Sequence, residues 1–236
     1  GTDWVLMTDT DLPGLAIFDH YHGNKNSKLF VHDQFGPKVE MPVSLYFRDW
    51  NEMPALEKDA LKRCTGKVLD IGAGAGSHAL ELQKRGTETE ALEISPAACK
   101  LMKLRCVETV HCADFFSWES APFDTLLLLM NGIGLCGTID GFRKFLQKAR
   151  TLLKPDGKIV FDSCDIAYMY EGRKFPTDYY GQVKCRYEYQ KSFTNWFHWL
   201  YLDAAIMQKI AAEEGFASSI ILEDENSQYL AELYLE

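Results

Sequence analysis

Three glycines, Gly72, Gly74 and Gly76, follow a short apolar run that ends in an acid, Val68-Leu69-Asp70-Ile71, and precede a helix-like stretch from Ser77. Glycine at alternate positions strips Cβ atoms from the turn, so backbone can close on a ligand. Amides at a helix start then suit a nucleotide or nucleoside cofactor, with Ala73 among the backbone that approaches it. The spacing is GxGxG, whereas a dinucleotide fingerprint, GxGxxG, needs glycine at 77, where Ser77 stands. Asp70 is a poor neighbour for a pyrophosphate and a good one for an ammonium group or amide donors.

Two further acids end later apolar runs. Glu93, in Ala91-Leu92-Glu93-Ile94-Ser95-Pro96, is placed to take both ribose hydroxyls, for a nicotinamide dinucleotide and an adenosyl sulfonium alike. In Cys112-Ala113-Asp114-Phe115-Phe116 a carboxylate can accept an adenine amino hydrogen while an aromatic ring packs on the base.

The elements that must hold these residues alternate. Strands are expected at 67–71, 88–94, 107–112, 123–130 and 158–162, with helices at 77–84, 96–105 and 139–153 between them. Short connections between alternating strands and helices give parallel β-α-β units with helices on both sheet faces. The continuous apolar run Thr125 to Met130 fits a central strand buried on both sides. Upstream, Asn51-Glu52-Met53-Pro54 opens a helix that Gly66 ends. Residues 1–51 read as irregular, with Val43 to Phe47 as a short strand. Downstream, Gln182 to Gln190 alternates as a half-buried strand, Asn195 to Leu202 reads as its hairpin partner or the entry to a helix at 203–214, and 216–222 and 228–234 read as closing strands.

Composition narrows the function. The chain has 236 residues, 47% of them apolar, and a formal charge of -9, which argues against a general nucleic-acid binder. Seven cysteines without a CxxC pair fit reduced, core-lining thiols and no metal site. Gly1-Thr2-Asp3 opens no leader pattern and no run is long enough to span a bilayer, so a cytoplasmic protein away from membranes is expected.

Taken together, Asp70 to Gly76, Glu93, Asp114-Phe115, Phe123-Asp124-Thr125-Leu126-Leu127 and Leu152-Leu153-Lys154-Pro155-Asp156-Gly157-Lys158-Ile159-Val160 resemble the class I S-adenosylmethionine-dependent methyltransferases. The likeness covers 66–165 strongly and 200–236 in strand-helix order only. It implies a doubly wound α/β fold, Rossmann-like, with a mostly parallel seven-stranded sheet whose last strand is reversed. An N-terminal lid or substrate segment at 1–50 would precede a cofactor-binding domain at 51–236 with an insertion at 165–200.

The resemblance implies S-adenosylmethionine as cofactor, with the turn at Gly72, Ala73, Gly74 and Gly76 on its aminoacid and ribose portion and Asp70 on its ammonium group. Glu93 would hold the ribose, Ile94 would lie against adenine, and Asp114 with Phe115 would take its edge and face. Met130, Asn131 and Gly132 would face the transferred methyl group. That loop lacks the acidic-or-Asn Pro-Pro-aromatic pattern of amino-methylating nucleic-acid enzymes, so a small-molecule acceptor is expected.

In-line methyl transfer needs alignment and desolvation more than a general base, and no base stands out. A cofactor-binding sensor without turnover is the rival reading; a nicotinamide oxidoreductase is a weaker one, opposed by Asp70 and Ser77. Arg48 reads as a surface residue or the partner of a cofactor or substrate carboxylate. His20, His22 and His32 read as loop residues, His78 and His198 as packing or capping, and Tyr46, Tyr168 and Tyr170 as packing. Trp196, Phe197, Trp199 and Tyr201 read as core or as an acceptor pocket wall.

Overall fold

The protein is described from a computed structural model covering residues 11–236; the first ten residues of the expected lid lie outside the described residues. The front segment is ordered into secondary structure where irregular chain is expected. Helix α1 (Leu12–Tyr21) is followed by a hairpin of β1 (Leu29–Asp33) and β2 (Gly36–Met41). Pro13 stands in the first helical turn, where its missing N–H costs nothing. Gly14 packs so close to Ser95 that a Cβ would lie 2.0 Å from Ser95 Oγ. Val43–Phe47 is a 3-10 turn after Pro42 and not a strand, and Trp50–Glu52 is a second such turn, closed by a capping box between Asp49 and Glu52.

Helix α2 (Ala55–Arg63) starts after Pro54 and stops before Gly66. Alternation then begins: β3 (Val68–Ile71), α3 (Ser77–Lys84), β4 (Thr89–Glu93), α4 (Pro96–Leu104), β5 (Val110–Cys112), β6 (Phe123–Leu128), α5 (Ile139–Leu152) and β7 (Leu153–Cys164). Side-chain caps fix the helix starts, with Ser95 accepting from the Ala98 amide and Thr138 from the Gly141 amide. The chain closes with β8 (Gln182–Tyr189), β9 (Ser192–Phe193), β10 (Phe197–Leu200), α6 (Ala204–Glu213), β11 (Phe216–Glu223) and β12 (Gln228–Leu235).

Two sheets result. The seven-stranded sheet has the order β11-β12-β7-β6-β3-β4-β5, and β12 runs antiparallel to both of its neighbours, as the reversed last strand requires. Its two faces separate by alternation along the central strand. Leu126 and Leu128 pack with Phe142, Phe145 and Phe161 on the α5 side, while Leu127 and Leu129 pack with Leu56, Leu61 and Leu82 on the side of α2 and α3.

The second sheet, β10-β8-β1-β2 with β9 on β8, is antiparallel throughout and joins the front segment to the 182–200 segment. Segments separated by some 150 residues thus form one layer, with Val31 registered to Tyr187. Among the described residues no helix is long and apolar enough to cross a membrane.

Candidate cofactor site

Parallel strands deliver the tips of β3, β4, β5 and β6 to one edge of the large sheet, so the expected site residues converge there. Asp70 lies on the α2 side, fully buried, and its Oδ2 has no hydrogen-bond partner among the described residues. Burial pushes its carboxyl up to about 6, with Glu93 adding to the rise and the His78 charge opposing it. A buried acceptor left without a donor is costly unless a ligand supplies one.

The three glycines of the turn do different work. All have positive φ, at +68, +59 and +83° for Gly72, Gly74 and Gly76, so each would strain under an L side chain. A Cβ on Gly72 would meet nothing within 4 Å, leaving open space beside the backbone. On Gly74 it would lie 3.2 Å from the Tyr46 ring, and on Gly76 it would strike Val107 and Met102 at 2.8 and 2.9 Å. Gly72 thus opens the cradle, while Gly76 lets α3 and its strand close on their neighbours. Gly72 and Ala73 donate to Leu92 O at 2.8 and 3.3 Å, which locks the turn to β4.

Glu93 accepts from Gly74 N through Oε1 and from Ser95 N through Oε2, both at 2.9 Å. Burial raises its carboxyl despite these amides. Each oxygen keeps a lone pair for a further donor. Ile94, next in the chain, leaves 66% of its surface exposed, unusual for an isoleucine beside a sheet. At the tip of β5, Asp114 Oδ1 accepts from Phe116 N at 2.9 Å. The Phe115 ring, expected to face adenine, is instead drawn into the core and stacks on Phe145 at 4.9 Å. The ring left at the surface beside Asp114 is that of Phe116.

After β6 two consecutive residues, Met130 and Asn131, take left-handed φ of +57 and +53°. Met130 is exposed, whereas the Asn131 side chain is occupied: Nδ2 donates to Leu200 O at 3.1 Å and Oδ1 accepts from Ser163 Oγ at 2.8 Å. The Asn131 amide donates to both carboxylate oxygens of Asp162, at 3.2 and 3.1 Å. Gly132 N closes the turn on Leu129 O.

Several residues of this edge escape the sequence reading. Asp162 is buried on the α2 side, and burial pushes its carboxyl up to about 7 while the Asn131 amide pulls it down. Arg48, far from being a surface residue, donates to both oxygens of Glu57 at 3.0 and 2.8 Å, and His78 Nε2 lies 2.6 Å from Glu57 Oε1. Burial raises Glu57, but the hydrogen bonds and charges of His78 and Arg48 outweigh it and hold the group below its ordinary value. Alternating charge along 48–78 carries no spacing signal for that triad, because α2 and α3 meet only in the fold. The front-segment histidines lie elsewhere: His20 stacks on Phe47 and His32 pairs with Glu188 at 2.7 Å. Among the described residues no cluster of three or more His, Cys, Asp or Glu is placed to hold a metal ion.

A mostly parallel sheet of this order, a glycine cradle at its first tip and acids at the next two define a nucleoside-cofactor-binding α/β protein of Rossmann-like class. A family model described as a methyltransferase domain matches residues 68–157. The crystal structure of an S-adenosylmethionine-dependent methyltransferase from Bacteroides fragilis, in complex with S-adenosyl-L-homocysteine, is similar at 39% identity and TM-score 0.90, covering 97% of this chain and 96% of that one.

The methyltransferase str2 of Strobilurus tenacellus is 29% identical over 110 residues, 45% of this chain; the match spans only 38% of that relative. The CcbJ methyltransferase of Streptomyces caelestis shares the fold at TM-score 0.61 and 13% identity, over 79% of this chain and 94% of its own. The chain belongs to the class I S-adenosylmethionine-dependent methyltransferases.

Proposed function

We propose that this chain transfers a methyl group from S-adenosylmethionine to a small-molecule acceptor. The observation that carries the reading is the orphaned Asp70 Oδ2 on the strand that leads into the open turn at Gly72. An ammonium group can donate to such an oxygen, for which the described residues supply no donor. S-adenosylmethionine, when bound, supplies a methyl group already activated on a sulfonium.

The chain's own residues would then orient and exclude water. Asp70 would take the ammonium group, the amides around Gly72 to Gly74 would approach the aminoacid and ribose portion, and Glu93 would take ribose hydroxyls on its free lone pairs. Ile94 would cover one side of adenine. Asp114 would accept its amino group, and Phe116 rather than Phe115 supplies the ring at the surface there. Met130 and Gly132 would face the sulfonium, with Asn131 shaping the turn from behind through Leu200 and Ser163.

The 1–50 and 165–200 segments would control the acceptor, because they build the second sheet together. A small molecule fits this arrangement better than nucleic acid, given the net charge of -9. Seven free thiols support a reducing compartment, and we place the protein in the cytoplasm.

Thermal unfolding with S-adenosylhomocysteine, with NAD and with neither tests the cofactor. Stabilisation by S-adenosylhomocysteine alone is expected; stabilisation by NAD alone, or by neither, would overturn the reading. Transfer of labelled methyl groups into a metabolite extract then tests turnover, and its persistent failure favours a cofactor sensor.

A further inference from the structure

Five half-buried aromatic residues lie on or next to the second sheet: Tyr46, Tyr187, Phe197, Trp199 and Tyr201. In the β8–β10 ladder Phe197 is registered with Cys185 and Trp199 with Val183, so Tyr187, Phe197 and Trp199 share one sheet face. Tyr187 stacks on Phe197 with ring centres 5.4 Å apart. Two of the rings touch the turns at the strand tips. Tyr46 lies over Gly74, and Trp199 Nε1 sits 2.1 Å from where a Gly134 Cβ would be. The wall therefore runs from the turn after β3 to the turn after β6.

Among the described residues, few protein groups occupy its polar atoms. Tyr46 Oη donates to Met41 Sδ at 3.2 Å, a weak acceptor, and among the described residues the Tyr187 and Tyr201 hydroxyls pair with no protein group. The carboxylates that reach these phenols are those of Glu93 and Asp33. With burial, Glu93 pushes Tyr46 up to about 12, and Tyr201 is raised to about 12 by burial with Cys185, Cys164 and Asp33. Burial also raises Tyr187, which feels Tyr46 and Glu93.

We infer that this wall receives an aliphatic amine, methylated on nitrogen, held against the ring faces in the negative field of Glu93 and Asp33; the inference rests on the proposed cofactor reading. Aromatic faces attract cations, and an acidic surround repels carboxylate and phenolate acceptors. Phenols held near 12 are poor bases, so an oxygen acceptor would find no help in losing its proton here. An amine that arrives as its ammonium instead releases one proton to water, which an ammonium does far more readily than an alcohol. The freed nitrogen lone pair then attacks the methyl carbon, the C–S electron pair stays with sulfur, and the product is an alkylammonium. Positive charge is thus carried by the ammonium on arrival, by the sulfonium at attack and by the alkylammonium afterwards.

The test uses the full chain saturated with S-adenosylhomocysteine and three probes of one skeleton: cyclohexylamine, cyclohexanol and cyclohexanecarboxylate, titrated by calorimetry and tryptophan fluorescence. The expected result is at least tenfold tighter binding of the amine than of the alcohol, with the carboxylate weakest. Tyr187→Leu should erase most of that preference and Tyr187→Phe keep it; Tyr201→Leu serves where Tyr187→Leu does not fold. Equal binding of amine and alcohol, a carboxylate preference, no probe binding, or a preference indifferent to both Leu variants would overturn the inference. S-adenosylhomocysteine binding, measured first, separates the two claims: its loss sinks the cofactor reading, whereas its presence without amine preference sinks the acceptor alone.

Discussion

Glu93 accepts the Gly74 amide at 2.9 Å, so the acid at the tip of β4 shapes the glycine turn after β3 and still offers lone pairs above it. One carboxylate therefore builds the cradle and equips it. Removing it leaves the turn without its acceptor as well as the ribose without its partner.

Glu93→Ala is accordingly expected to weaken S-adenosylhomocysteine at least tenfold, about 1.4 kcal/mol, while the protein still folds. Glu93→Gln keeps an acceptor for Gly74 and should fall between. Calorimetric titration of the three proteins decides; unchanged affinity in Glu93→Ala removes the residue from the site.

The glycines separate binding from packing. Gly76→Ala drives a Cβ into Val107 and Met102 and should cost about 2–4 kcal/mol in urea unfolding, strain at positive φ included. Gly72→Ala carries only the backbone strain, about 1 kcal/mol, yet fills the open face and should lose most cofactor affinity. Equal stability losses, or a Gly72→Ala protein that binds normally, would contradict the division.

Asp162 makes stability depend on pH. Burial pushes its folded carboxyl up to about 7, above the ordinary carboxylate range, so the folded state holds the proton more tightly and stability falls as pH rises from about 4 through 7, then levels. Asp162→Asn keeps an acceptor for the Asn131 amide and removes that decline. Relative to wild type it should gain about 2 kcal/mol between pH 5 and pH 8 in denaturant titrations. Parallel pH profiles for the two proteins would show that Asp162 titrates normally.

Buried Glu57 pairs with Arg48 and His78, at 2.8 and 2.6 Å. Glu57→Ala leaves both without their acceptor and should cost about 3–5 kcal/mol. A loss below about 1 kcal/mol would mean that solvent replaces the carboxylate freely.

What was legible in the sequence is what local chemistry dictates. Strand tips at Asp70 and Glu93, the Ser95 cap and the amphipathic spacing of Phe142, Phe145 and Ala149 all speak within a few residues of themselves. The front segment misleads because Pro13 and Gly14 are turn formers by composition, and only contact with Ser95 shows why a helix holds them. Phe115 and Phe116 are indistinguishable as neighbours; the partner at Phe145 decides which one enters the core. Arg48, Glu57 and His78, like β1 with β8, come together only through tertiary packing, and no periodicity announces them.

The central claim is that the edge formed by Asp70, Gly72 and Glu93 binds an adenosyl sulfonium cofactor. Calorimetric titration of the wild-type chain with S-adenosylhomocysteine tests it most directly. One saturable site per chain is predicted, with about 2.7 kcal/mol of added stability at ligand concentrations a hundred times Kd. Absence of saturable binding, or displacement of the ligand by NAD, would contradict the account.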